Sequence, residues 1–225
     1  MPLPALAAVA GLVAAAHLGR RGSATDLSKE DKKRIVDLVK QGLVSEARAL
    51  AVELGLDALD LSGADLARAK LTGANLTGAN LTSANLTSAN LTNTTLTGAN
   101  LSNATLTGAD LIDALLRSAD LTDADLTGAY LTYADLSNAN LTGANLTTAR
   151  LVDTNLTGAN LGGAYLPFAH LVDANLTGAD LTGAYIQRSI GINTGPARTF
   201  IGIPDGYIKV ESNFVPSRTN LRRTE

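Results

Sequence analysis

The sequence predicts a mainly β chain, a solenoid preceded by α-helices, on three observations. Leucine recurs at every fifth residue from Leu61 to Leu181, 25 times in register, and Ile186 continues the series. Alanine stands two residues before it at 23 of the 25 positions from Ala64 to Ala184, the exceptions being Thr94 and Thr154. Aromatic residues make up only 4% of the 225 residues, with no Trp, although 45% of the chain is apolar. A period of five fits neither the roughly 3.6 residues of a helical turn nor the two of a strand, so neither element keeps these leucines on one face. Thr, Asn and Gly between them are poor helix formers, and Asn and Gly suit bends. A solenoid meets these conditions, with Ala and Leu inward and successive coils paired through their backbones at a spacing of about 4.8 Å.

Four segments follow in order. Residues 1–24 are read as an apolar N-terminal helix, because the stretch 2–18 is almost wholly apolar and is followed by Arg20 and Arg21. Its length sits at the lower limit of a bilayer span, and no positive charge precedes Leu18 as it would in a secretory signal. It is expected to anchor the chain in a membrane or pack in an assembly. Residues 25–55 are read as a two-helix N-terminal cap. Ser28 with Asp31 three residues on resembles a capping box, and Ile35, Val36, Leu38 and Val39 form an apolar stripe up to Gly42. The second helix, Val44 to about Leu54, ends at Gly55. The charged run from Lys29 to Arg34 reads as a solvated face.

Residues 56–190 are the solenoid. Their unit reads Ala-Asn/Asp-Leu-Thr-Gly, as in Ala64-Asp65-Leu66 and Ala79-Asn80-Leu81, and on these residues the chain resembles the pentapeptide-repeat family. The resemblance covers residues 61 to 188. It implies a right-handed, four-sided β-helix with four units per coil, about 6.5 coils in all. Residues 191–225 leave the register and are read as a C-terminal hairpin or tail cap. Pro204-Asp205-Gly206 there lies between two β-prone runs, and Thr219-Asn220-Leu221 looks like the start of another unit.

The composition excludes most chemistry. There is no Cys, hence no disulfide, thiolate nucleophile or Cys-based metal site. His17 and His170 are the only imidazoles and lie in different segments. Stacked outward Asp and Asn, such as Asp60, Asn80, Asn100 and Asp120, follow from a twenty-residue coil and have no cavity in which a carboxyl could be tuned. No phosphate loop is present. The chain is expected to be no enzyme, with no cofactor and no metal. Many Asn-Leu-Thr triplets match the glycosylation acceptor pattern as by-products of the unit, so a eukaryotic secretory setting is not expected; the expected location is a membrane or large assembly, otherwise the cytoplasm.

Sorting outward residues by their place in a twenty-residue coil sets one side apart. It carries Asp110, Ile112 and Asp113, then Tyr130 and Tyr133, then Arg150, Val152 and Asp153, then His170, Val172 and Asp173, while a neighbouring side ends in Tyr165, Phe168 and Tyr185. Exposed aromatics and aliphatics among polar ladders mark a candidate partner-binding face. The same residues also read as stacked β-formers stiffening a sheet.

The leading functional expectation is a non-enzymatic scaffold, a rigid rod attached through residues 2–18 to a membrane or assembly such as a virion or surface layer, with a protein or a second copy as partner. The resemblance supplies a second reading, since some members of the family mimic duplex DNA and bind a type II topoisomerase. Residues 56–190 carry 12 Asp against 5 Lys and Arg, a net −7 that the chain total of −3 conceals. That is modest beside duplex DNA, with a phosphate at about every 1.7 Å. The central residues to 181 are all Leu rather than including Phe, and the C-terminus reads as turn and strand rather than a dimerising helix. Nucleic acid itself is not an expected partner. A third reading, ice or surface binding, rests on outward Thr82, Thr122, Thr142 and Thr182.

Overall fold

The computed structural model describes residues 28–189 and 191. The apolar stretch 2–18, His17 and the expected hairpin around Pro204-Asp205-Gly206 lie outside the described residues.

Two helices open the described chain, α1 (Lys29–Lys40) and α2 (Val44–Glu53). Ser28 caps α1 as its sequence predicts: its hydroxyl accepts from the Asp31 N–H at 3.1 Å. Gly42, at φ 78°, turns the chain between the helices. Ile35 and Val39 from α1 and Ala47, Leu50 and Ala51 from α2 are buried in one continuous core with the first leucines. Polar groups join the helices to the repeat as well. Lys32 pairs with Asp60 at 3.1 Å and donates to the Ser62 hydroxyl at 2.7 Å, so one member of the charged run is not simply solvated. Arg48 donates to the carbonyls of Asn75 and Thr77, both at 3.3 Å, on the open edge of the first coil.

Beyond Gly55 the backbone repeats every twenty residues. Parallel bridges join each residue before a leucine to its counterpart twenty positions on, from Asp60↔Asn80 and Asp65↔Asn85 to Tyr165↔Tyr185. Four five-residue units therefore complete one coil. No run of strand forms among the described residues. Each side contributes a single bridge, because the chain turns again within three residues.

The unit explains its own composition once each N–H is followed. In residues 81–85, Leu81 donates to Asn100 O at 2.7 Å and Ser83 to Ser102 O at 2.9 Å in the next coil, and Asn85 donates back to Ala64 O at 2.9 Å. Ala84 closes a turn onto Leu81 O at 3.0 Å. The fifth donor, the N–H of Thr82, goes to the Asn80 side chain at 3.2 Å, and the Thr82 hydroxyl joins it at 2.8 Å. All five donors are satisfied. Asn or Asp before the leucine supplies that acceptor, and Thr after it donates to the same acceptor a second time. The second residue after the central Leu or Ile has positive φ in every unit from Gly63 to Arg188 while the first does not, as in a type II turn, hence the predominance of Gly, Asn, Asp and Ser there.

The core is the expected column of Leu and Ala, the 25 in-register leucines from Leu61 to Leu181 being at most 4% exposed. Thr94 and Thr154 belong to it: both are fully buried, and their hydroxyls donate to the Leu71 and Leu131 carbonyls at 2.7 Å.

Candidate protein-binding face

The bridge pattern stacks Asp110, Tyr130, Arg150 and His170 in one column, and Tyr165 and Tyr185 in the column of the preceding side. Tyr130, Tyr133, Val172, Tyr165, Phe168 and Tyr185 are exposed, as are Asp113, Asp153, His170 and Asp173; Ile112 and Val152 are half-buried. The candidate residues thus lie on two adjacent sides of the later coils. Leu115, 43% exposed on the side that follows, also stands where Asn or Asp is usual; sequence reading missed it because Leu at one position of a Leu-rich unit is inconspicuous.

The aromatics interact along the stack. Tyr165 and Tyr185 are parallel with ring centroids 4.7 Å apart. Arg150 lies over the Tyr130 ring at 5.2 Å, and Arg188 over the Phe168 ring at 5.7 Å, each guanidinium coming from the coil after its ring. Three residues in this region, Val152, Val172 and Pro167, follow from the donor pattern. Arg150 and His170 replace the acceptor before the leucine, leaving a hydroxyl at 152 and 172 without that partner, and Val occupies both places. Tyr165 also removes the acceptor, and Pro167, which has no N–H, stands where the donor would be. Tyr133 and Phe168 hold positive φ of 61° and 59°, a conformation costly for bulky side chains.

The eleven aspartates from Asp60 to Asp180 divide into two sets. Asp60, Asp65, Asp110, Asp120, Asp125, Asp135 and Asp180, each before a leucine, accept the N–H two residues on. Burial pushes the Asp60 carboxyl up, but the hydrogen bonds from Ser62 and Lys32 together outweigh it and hold the group below the ordinary carboxylate range. Asp125 balances the same way, its burial outweighed by Thr127 and Thr107. Asp113, Asp123, Asp153 and Asp173, in the turns, make no side-chain hydrogen bond or ion pair among the described residues. Three of these four share a corner with Tyr133.

The remaining surface offers little chemistry. Among the described residues no group of His, Cys, Asp or Glu could hold a metal ion, and no helix is long and apolar enough to cross a membrane. An open polar hollow of about 250 Å³ between α2 and the first coil is lined by Ser45, Arg48, Lys70 and Thr72. The outward Thr ranks serve the turns: Thr82, Thr122, Thr142 and Thr182 donate their hydroxyls to Asn80, Asp120, Asn140 and Asp180.

Five-residue units, parallel pairing at twenty residues and a Leu and Ala core define a β-helical repeat protein. The chain belongs to the pentapeptide-repeat family, whose sequence model, described as pentapeptide repeats, matches residues 60–98, 84–123, 96–132, 109–147, 119–158 and 149–188. Among solved structures it is similar to HetL, a pentapeptide repeat protein involved in heterocyst differentiation regulation from the cyanobacterium Nostoc sp. strain PCC 7120. The identity is 38% over 60% of this chain and 69% of HetL, with a TM-score of 0.26. It is also similar to the pentapeptide repeat protein Rfr23 from the cyanobacterium Cyanothece 51142, at 31% identity over 54% of this chain and 90% of the other, TM-score 0.36. QnrB1, a plasmid-mediated fluoroquinolone resistance protein, matches at 22% identity over 59% of this chain and 73% of its own, TM-score 0.41. No curated protein matches the chain.

Proposed function

We propose that this chain is a non-enzymatic interaction scaffold, a right-handed β-helix of about 6.5 coils that presents the face around Tyr130, Tyr133 and Val152 to a protein partner. The observation that carries the reading is the placement of the exposed aromatics: all five on the described repeat fall on two adjacent sides of its later coils. Over much of the remaining repeat surface the outward Asn, Asp and Thr are engaged in turns. A stacked sheet needs no aromatic at a positive-φ corner, so Tyr133 and Phe168 favour recognition over stiffening. In this reading α1 and α2 cap the first coil and residues 2–18 attach the rod to a membrane or larger assembly outside a eukaryotic secretory pathway.

The test compares the full chain with a Tyr130→Thr, Tyr133→Thr, Val152→Thr variant of unchanged circular dichroism. A protein retained by the former and lost by the latter supports the face, and equal retention removes it. For the attachment, the full chain and one lacking residues 1–24 are compared for vesicle partitioning and oligomeric state; a soluble monomer in both forms removes it. The net −7 of residues 56–190 keeps topoisomerase binding by DNA mimicry as the second reading. Protection or inhibition of gyrase at micromolar protein in a supercoiling assay would select it.

A further inference from the structure

We infer that the Tyr133 corner receives an arginine side chain of a basic protein partner, an inference that rests on the face being protein-binding. Tyr133 is the most exposed aromatic among the described residues, at 60%. The chain shows what covers a ring at such places: Tyr130 and Phe168 each lie beneath an arginine of the following coil. Among the described residues no arginine covers Tyr133. The Asp113 N–H bonds to Thr132 O and the Tyr133 N–H to Val152 O, both at 3.1 Å, so Asp113 and Asp153 are its neighbours in the coils before and after, about 4.8 Å away along the stack. Asp173 follows Asp153 by one more coil.

These carboxylates differ from the others on the rod. The seven before leucines are engaged in turns, whereas the side-chain carboxylates of Asp113, Asp153 and Asp173 have no partner among the described residues. An open ring face flanked by unpaired carboxylates suits a planar cation that stacks and donates in a fork, which is guanidinium rather than ammonium. The charge of the partner follows from the same place, since residues 56–190 carry net −7 and the corner is one of its unneutralised parts. The occupant is therefore an arginine-bearing basic surface.

The experiment measures binding of nona-arginine and nona-lysine peptides to the full chain by fluorescence anisotropy at about 0.1 M salt, where longer-range attraction is damped. The full chain should prefer nona-arginine by about three- to fivefold, the range of an exposed cation–π contact. Tyr133→Asn should erase the preference, and this variant is compatible with the backbone, because Asn93, Asn103 and Asn138 hold the same positive φ. Asp153→Asn should weaken both peptides, whereas Asp123→Asn, on the opposite side of the coil, should change neither. No binding, equal affinity for both peptides, or an equal loss in Asp123→Asn and Asp153→Asn would overturn the inference. If the peptides fail while face-dependent capture of a protein persists, this inference alone falls; face-independent capture removes the scaffold reading whatever the peptides show.

Discussion

The hydroxyl of Thr94 donates to the carbonyl of Leu71, 2.7 Å away inside the core and one coil earlier. Thr94 stands where alanine is the rule, fully buried, and its one polar atom is satisfied. Thr94→Val keeps the volume and removes the donor, while Leu71 O keeps its turn bond from the Ala74 N–H at 3.0 Å. The expected loss is about 1 kcal/mol in denaturant unfolding, the net worth of a hydrogen bond whose acceptor is left half-satisfied. The same change at Thr154, bonded to Leu131, should cost a similar amount.

Tyr133 should show the opposite sign. Its φ of 61° suits glycine or asparagine and strains a bulky side chain. Tyr133→Asn is expected to raise stability by about 1 kcal/mol, read as a higher midpoint of thermal unfolding, while weakening whatever the face binds. A lower midpoint would show that the ring supports its neighbours and would make the residue a structural one.

The period of five announced the solenoid because a backbone that returns to the same side every twenty residues leaves a regular stamp on buried positions, and Leu61 to Leu181 carry it. Ser28 and Gly42 were equally legible, since capping and left-handed turns demand specific residue types. The reason for Thr82 was not: its hydroxyl donates to Asn80, and only the turn geometry distinguishes that from simple β-propensity. The candidate face was visible as a list of columns, but the cover of Tyr130 by Arg150 and the bareness of Tyr133 depend on where side chains lie relative to neighbours twenty residues away. Lys32 illustrates the same limit, for no local pattern distinguishes the lysine that reaches Asp60 from solvated Lys33, paired within its own helix to Asp37.

Asp60 makes the join between α1 and the first coil sensitive to acid. Its carboxyl, raised by burial and lowered further by Ser62 and Lys32, ends below its ordinary 3.8. A group whose folded pKa is depressed contributes stability above the unfolded value, and that contribution is lost as pH falls through the folded one. Unfolding midpoints measured from pH 7 downward should therefore hold until about pH 4 and then drop. Asp60→Asn keeps an acceptor for the Ser62 N–H and removes the titrating charge. It should lower stability at pH 7 and shrink the drop in acid; an unchanged acid profile would place the sensitivity elsewhere.

Pro167 stands at the first turn position after Leu166, where units with Asn or Asp before the leucine place an N–H that this side chain accepts. Tyr165 can accept nothing there, and proline removes the donor while fixing a φ suited to that position of a type II turn. Its carbonyl still accepts from the Thr148 N–H at 3.0 Å, so coil pairing is intact. Pro167→Thr restores the residue common at this position yet should destabilise by about 0.5–1 kcal/mol, because it frees the unfolded chain and reintroduces an N–H with no acceptor. Adding Tyr165→Asn to it should recover the loss, since the asparagine supplies that acceptor. Additive effects of the two changes in denaturant unfolding would show that the pair is not coupled through the turn.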